Sequence, residues 1–252
     1  MECKRQMPSP PRRNSVAKRD VSVAVVIPTY NEETIIGRTI RNLHSFLPPE
    51  VPIIVADGHS KDFTRLIAEK LGAKVILEKG RTVGSGRNEG AAAAGGVDIV
   101  WFVDADTFPT QEFYEKMTHL FSSDKRIVGV GCHIMPEDIG LLRKIFFYGL
   151  NMIVFFTVKL GRPNIAGSCV AYRKAAFDEI GGFDTETHSA EDMDLTQRIS
   201  KLGRVLFLYH AIVPTSDRRV HKLGVAGLMQ DWTRATIMYL RGQKTTAYYA
   251  PR

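Results

Sequence analysis

The stretch VDIVWFVDAD, from Val97 to Asp106, joins an apolar run to two acidic residues. The run is typical of a buried β-strand, and it ends directly before Asp104. In an extended backbone alternate side chains share a side, so Asp104 and Asp106 point one way and Ala105 the other. Two carboxylates placed in this way can hold Mg²⁺ or Mn²⁺ against a diphosphate. The alternative is a solvated acidic turn that begins the next helix.

The first half of the chain alternates strand-like and helix-like segments. Apolar runs end at Ile27, Val55 and Leu77, and a helical pattern follows each of them. This alternation predicts an α/β fold with a mostly parallel central sheet flanked by helices and a Rossmann-like N-terminal half. Ligands bind such sheets beyond the carboxyl ends of the strands. Residues 28–30, Asp57 and the acidic pair follow strand ends, so we expect them on one rim.

The second half is less regular, and we expect it to share one core with the first. Its strand-like segments cover 127–130, 167–172 and 205–209, and its helical segments cover 139–160, 191–203 and 224–240. The predicted organisation is a single domain over residues 21–242, between a basic tail at 1–20 and a C-terminal tail at 243–252.

The composition limits the class of protein. With 252 residues and 44% hydrophobic content, the chain can bury one sizeable core. Part of its net charge of +7 lies in residues 1–20, which have too few apolar groups to pack and are predicted to be disordered. That tail lacks the apolar core of a signal peptide. It is either a plain solvated extension, which we favour, or a segment drawn to anionic lipid or nucleic acid. No nucleic-acid partner is expected.

The three cysteines indicate a reducing environment. Cys3, Cys132 and Cys169 are widely spaced and form no Cys-x-x-Cys pair and no zinc pattern. A cytoplasmic protein with free thiols fits this usage best. Cys132 and Cys169 lie among apolar residues and are predicted to be small core residues.

Four segments follow one another along the chain with plausible spacing. They are VIPTYNE (26–32), VADGHSKDFT (55–64), DAD (104–106), and GGFD (181–184) followed by EDMDL (191–195). Together they resemble the family 2 glycosyltransferases of the GT-A fold, over about residues 21–213. The resemblance implies a nucleotide-binding half at 21–106, an acceptor half at 107–242, and inverting transfer of a sugar from a UDP- or GDP-sugar. It also implies that Asp106, helped by Asp104, holds Mg²⁺ or Mn²⁺ on the diphosphate.

The resemblance further assigns donor contacts. Asp57 takes the role of accepting a hydrogen bond from an N–H of the base, and Pro28, Tyr30 and Glu32 resemble the base and ribose loop. The alternatives are a helix cap for Asp57, where Ser60 competes, core packing for Tyr30, and a favourable charge at a helix N-terminus for Glu32. The motif also departs from the family pattern. Gly58 replaces a second Asp, and His59 and Phe63 replace glycines, which leaves the nucleotide open.

A second acidic site follows the Gly-Gly-Phe-Asp segment. Inverting transfer needs a base that takes the proton of the acceptor hydroxyl. By resemblance Asp192 is that base, and Glu191 orients the acceptor or a neighbouring group. The alternative is that Glu191, Asp192 and Asp194 only supply favourable charge to the first turn of a helix.

Basic residues supply candidate phosphate contacts. Arg81 and Arg87 lie in a glycine-rich segment before a helix, which suits an anion, whereas the alternative for Arg87 is a surface position. Arg218 and Arg219 form a basic loop that is either a diphosphate or lipid-phosphate contact or a solvated charge run. His210 is either a third metal ligand or, as we favour, a structural histidine.

The apolar stretch 139–160 bears on the acceptor. It predicts either a buried core helix or an in-plane amphipathic helix that brings the protein to the cytoplasmic face of a membrane. The acceptor is accordingly open between a hydroxyl compound and a lipid phosphate such as a polyprenyl-linked one. QDWTR (230–234) does not match the Gln-x-x-Arg-Trp signature of processive members, which argues against a polysaccharide synthase.

Two other functions remain alternatives at this point. A nucleotidyltransferase can share the sheet architecture, but it needs a glycine-rich basic loop after the first strand, and Pro28-Thr29-Tyr30-Asn31 lacks that chemistry. A membrane-surface binding protein could keep the sheet without catalysis, but the two intact acidic sites argue against it.

Overall fold

A central β-sheet with strands in the order β3-β2-β1-β4-β6-β5-β7 organises the chain. The computed structural model describes residues 21–80, 82–186 and 190–241. The predicted tails at 1–20 and 243–252, and Arg81, lie outside the described residues. The strands are β1 Val23–Thr29, β2 Ile53–Asp57, β3 Lys74–Leu77, β4 Ile99–Val103, β5 Ile127–Pro136, β6 Cys169–Arg173 and β7 Arg204–Thr215.

The helices pack on both faces of this sheet. They are α1 Ile36–His44, α2 Thr64–Lys70, α3 Val83–Ala93, α4 Gln111–Ser123, α5 Leu141–Lys159, α6 Lys174–Glu179, α7 Glu191–Ile199 and α8 Arg218–Leu240. A non-helical residue, Gly224, interrupts α8. In α3, Gly90 allows close approach to the sheet, because a Cβ atom there would overlap the side chain of Val26 in β1.

The prediction of a mostly parallel α/β sheet is confirmed. Strand β1 pairs in parallel with β2 and β4, β2 with β3, and β5 with β7, whereas β6 is antiparallel to both its neighbours. The carboxyl ends of β1, β2 and β4 therefore lie at one edge, as we expected. There Thr29 stands opposite Asp57 in the register, and the Gly58 amide donates a 2.8 Å hydrogen bond to the Thr29 carbonyl.

Strand β4 is buried on both faces, which explains its unbroken apolar sequence. Trp101 belongs to the core layer that contains Phe113 of α4, with 5.6 Å between the ring centroids. Phe102 belongs to the opposite layer, and its ring lies 5.2 Å from that of Phe183. Cys132 and Cys169 are buried free thiols, as predicted.

Several elements differ from the sequence-based expectation. Helices α4 and α6 are not among the predicted elements. Strand β7 continues to Thr215 rather than ending at Tyr209, because its pairing with β5 resumes after a bulge at residues 209–211. Helix α5 has the predicted position, but Phe147 and Asn151 are its buried residues. Of the two interpretations of this stretch, the buried core helix is therefore wrong.

Candidate active site

A cavity of about 440 Å³ opens at the carboxyl edge of the sheet. Its walls come from the ends of β1, β4, β5 and β7 and from helices α3, α5, α7 and α8. Nine of the residues singled out in the sequence line it, namely Pro28, Glu32, Arg87, Asp104, Asp106, Glu191, Asp192, Arg218 and Arg219. Side chains from both halves of the chain therefore meet in one space.

Arg87 connects the two acidic sites. Its guanidinium donates one hydrogen bond to Asp104 (2.9 Å) and another to Glu191 (3.2 Å), and its side chain is only 4% exposed. Burial lowers the pKa of Arg87, but the carboxylates of Asp104, Glu191 and Asp192 outweigh it, so the net pKa is raised. Arg87 therefore stays charged, and its burial excludes the alternative of a surface position.

Gly167 makes room for this guanidinium. A Cβ atom at Gly167 would lie 2.8 Å from both terminal nitrogens of Arg87, closer than real contacts allow. The Gly167 amide also donates a 2.9 Å hydrogen bond to Asp192. One glycine thus serves both the arginine and the predicted base. No sequence pattern singled it out, because its partners are distant along the chain.

Asp192 is oriented by backbone amides. It accepts hydrogen bonds from the amides of Gly167 (2.9 Å) and Met193 (2.8 Å), one on each carboxylate oxygen. Asp194 instead pairs with Arg198 at 2.7 Å. Two acids of the same helical turn therefore differ, since Asp192 faces the cavity and Asp194 stabilises the helix.

The surroundings of Glu191 shift its pKa strongly. Burial, and then the charge of Asp192, raise the pKa of Glu191 to about 7, although Arg87 opposes the shift. The residue before it, Ala190, has a φ of 65°, a left-handed conformation that a residue with a Cβ adopts at a cost. The start of α7 is thus held in place by its surroundings rather than by local preference.

Asp104 and Asp106 follow β4 and face the same cavity. Burial, and then the neighbouring Asp104, raise the pKa of Asp106, whereas Arg218 and Arg219 lower it. Arg218 donates to Glu32 at 2.7 Å and to Asp106 at 3.4 Å. Arg218, the first residue of α8, therefore places a positive charge beside the carboxylate pair.

The donor set fits a hard divalent cation. Among residues 21–80, 82–186 and 190–241, no group of three or more His, Cys, Asp or Glu side chains is placed to hold a metal ion. The protein ligands would therefore be the carboxylates of Asp104 and Asp106. Phosphate and water oxygens would complete the coordination shell of the ion, as is usual for Mg²⁺.

Two of the predicted base and ribose contacts, Tyr30 and Asp57, lie outside the cavity lining. Tyr30 is 37% exposed. Asp57 is fully buried and accepts hydrogen bonds from the Ser60 amide (2.8 Å) and hydroxyl (2.5 Å). Its contact with a base stays a prediction, and neither it nor Ser60 caps α2, because Asp62 accepts from the Thr64 amide.

The position of His210 corrects the metal-ligand prediction. His210 is exposed in the β7 bulge and does not line the cavity. Asn88, which follows Arg87 in α3, forms hydrogen bonds with the backbone of Phe183 through both ends of its amide (2.8 and 2.9 Å). Helix α3 is thereby tied to the segment that precedes α7.

The sequence reasoning missed the apolar side of the cavity. Phe147, Leu150 and Val154 of α5 line it together with Leu228 and Trp232 of α8. The rings of Phe147 and Trp232 are 6.4 Å apart. The hydrophobicity of residues 139–160 was the available signal, but it did not show which side of the helix faces the site.

Comparison with known proteins agrees with this geometry. Residues 24–181 match the family model described as glycosyl transferase family 2. Among similar sequences, a probable glycosyltransferase YdaM of Bacillus subtilis is 27% identical over 88% of this chain and 55% of its own length. An O-antigen chain rhamnosyltransferase, WbaN of Salmonella anatum, is 27% identical over 72% of this chain and 62% of its own length. The chain thus spans somewhat more than half of each of these relatives.

Solved structures share the fold. A mannosyltransferase from Pyrobaculum calidifontis, in complex with GDP-Man and Mn²⁺, has a TM-score of 0.65 at 20% identity, over 86% of this chain and 64% of that one. Glucosyl-3-phosphoglycerate synthase from Mycobacterium tuberculosis, in complex with Mn²⁺ and UDP, has a TM-score of 0.61 at 20% identity, over 91% and 83%. The fold is thus the expected GT-A-like one, and the family match covers more than half of the sequence. The chain belongs to glycosyl transferase family 2.

Proposed function

We propose that this chain is a metal-dependent, inverting glycosyltransferase that moves a sugar from a UDP- or GDP-sugar to an acceptor hydroxyl or a lipid phosphate. One observation carries the proposal. The acidic pair after β4 and the acidic start of α7 line the same cavity, and Arg87 binds a carboxylate of each. Such a cavity can hold a donor between a diphosphate site and a base.

The donor diphosphate belongs at Asp104 and Asp106. A Mg²⁺ or Mn²⁺ ion held there would neutralise the charge that develops on the departing diphosphate. Arg218 and Arg219 flank the same carboxylates and can bind phosphate oxygens beside them. Pro28 and Glu32 line the adjoining wall, where the base and ribose loop is expected. The structural neighbours crystallised with Mn²⁺ and GDP-Man or UDP support this assignment.

The chemical step uses Asp192 as the base. Its carboxylate accepts the proton of the acceptor hydroxyl while that oxygen forms a bond to the anomeric carbon. The bond between the anomeric carbon and the phosphate oxygen breaks, and the diphosphate leaves with the electron pair. The amides of Gly167 and Met193 orient Asp192 for this transfer. An ionised phosphate acceptor would need no base.

The acceptor is proposed to carry an apolar portion, such as a polyprenyl chain, and to be used at the cytoplasmic face of a membrane. The apolar wall formed by α5 and α8 supports this proposal, because a purely polar acceptor would leave that wall facing water.

Titration calorimetry with GDP-Man, UDP-Glc and UDP-GlcNAc, with and without Mn²⁺, tests the proposal. We expect one donor to bind only with the metal, and Asp106→Ala to abolish that binding. Asp178→Ala is the matched control, since Asp178 lies on α6 and pairs with Lys174. If none of these donors binds, or if Asp106→Ala binds like the unaltered protein, the metal and donor assignment is wrong.

A further inference from the structure

Helix α5 presents an apolar stripe to solvent. Leu142 is 83% exposed and Ile153 is 61% exposed. The exposed apolar positions recur at the three- and four-residue spacing of one helix face. They are Leu141, Leu142, Ile145, Tyr148, Met152, Ile153 and Phe156. A face of this size on a folded domain marks an interaction surface.

The opposite side of α5 is fixed to the domain. The Asn151 side chain accepts from the Ile134 amide (3.2 Å) and donates to the Ile134 carbonyl (3.0 Å) and the Phe147 carbonyl (2.8 Å). The same side packs on β5 and β7. Helix α5 is long and apolar enough to cross a membrane. With one side bound to the sheet it can only lie flat against a surface, with the stripe outward.

The charge around the stripe indicates what that surface is. Arg143 and Lys144 are exposed at its start, and Lys159 and Arg162 are exposed at its end. The sequence contains no Asp or Glu from residue 139 to residue 177. An apolar face with cations at both ends complements acyl chains beneath anionic headgroups. The tail at 1–20 carries an excess of positive charge and few apolar residues, so it suits this stripe poorly.

We infer that the stripe on α5 inserts into the headgroup region of an anionic phospholipid bilayer, with the helix axis in the membrane plane. The inner side of the same helix forms the apolar wall of the cavity. Membrane contact would therefore bring the cavity next to the bilayer, where a lipid-linked acceptor resides. This last consequence rests on the proposed function, whereas the membrane contact itself does not.

Vesicle flotation tests the contact directly. The probes are phosphatidylcholine vesicles and phosphatidylcholine vesicles containing about one-third phosphatidylserine. We expect the protein to float with the anionic vesicles and to be released by salt. Ile145→Glu and Ile153→Glu should each reduce partitioning about tenfold, and Arg143→Gln and Lys144→Gln about fivefold each.

Leu66→Glu is the matched control, because Leu66 is 44% exposed on α2, near the β3 edge of the sheet. It should bind vesicles like the unaltered protein. Circular dichroism confirms that each variant is folded, and the charge variants and salt release test the inference even if a glutamate variant is not. Absence of vesicle binding, equal binding by the stripe variants, or a dimer that these variants dissociate without any vesicle binding would overturn it. Donor binding with Mn²⁺ needs no membrane, so the two proposals fail separately.

Discussion

Replacing Arg87 with glutamine should destabilise the protein in a pH-dependent way. The substitution removes a cation that donates to both Asp104 (2.9 Å) and Glu191 (3.2 Å). Because the Arg87 side chain is only 4% exposed, water cannot readily take its place. Arg87 interacts electrostatically with the carboxylates of Asp104, Glu191 and Asp192. Without it, these carboxylates would repel one another.

The magnitude follows from burial and charge. Breaking a buried ion pair by removing one partner costs about 3 to 5 kcal/mol. The pKa of Glu191 is already raised to about 7 although Arg87 opposes the shift, so it rises further in the variant. A carboxyl whose folded pKa exceeds its unfolded value favours the folded state at low pH, and this contribution is lost as pH rises through the folded pKa. The part of the deficit that comes from Glu191 should therefore be small at pH 5 and larger at pH 8.

Urea denaturation at both pH values, followed by circular dichroism, measures the deficit. Arg87→Lys is the control, because an ammonium keeps the charge but not the two-pronged geometry, and it should recover part of the loss. A loss below about 1 kcal/mol with no pH dependence would refute the reasoning, since the cation would then not stabilise the carboxylates.

Two further predictions concern the same cluster. The free energy of unfolding of the unaltered protein should contain a contribution of up to about 3 kcal/mol that is lost as pH rises from the ordinary Glu range through 7, because the folded pKa of Glu191 is raised. Glu191→Gln should remove this pH-dependent fall in the free energy of unfolding. If urea titrations give the same pH dependence for the variant and the unaltered protein, the prediction is wrong. Gly167→Ala should displace the Arg87 guanidinium and cost about 1 to 3 kcal/mol, measured by thermal unfolding. Gly149→Ala, where a Cβ meets nothing within 4 Å, should be nearly neutral, and equal effects of the two alanines would show that Arg87 does not need the space.

The sequence predicted the parts of the site that depend on strand ends. Parallel pairing of β1, β2 and β4 follows from the alternation of strands and helices, and it brings residue 28 and the acidic pair to one rim. The sequence also contains the signal for helix α4, because Phe113, Met117 and Phe121 have helical spacing and Thr110 caps the helix.

Other features depend on contacts between distant residues. Arg87 and Glu191 are 104 residues apart, and no local pattern shows that one buries the other. The bulge that turns His210 to solvent depends on the pairing of β7 with β5. Apolar residues are spread around helix α5, so its sequence does not show which side packs on the domain. The hydrogen bond from the Ile134 amide to Asn151 identifies the packed side.

The role of Asp192 as base is the central claim, and Asp192→Asn tests it most directly. The variant keeps the size of the side chain and can still accept from the Gly167 amide, so calorimetry should show donor binding within about twofold of the unaltered protein, a free-energy change below about 0.5 kcal/mol. Turnover of that donor, measured as release of the nucleoside diphosphate with water as acceptor, should fall by about a hundredfold or more. Asp194→Asn, two residues further along α7 and paired with Arg198 outside the cavity, should retain turnover. Unchanged turnover by Asp192→Asn would contradict the account.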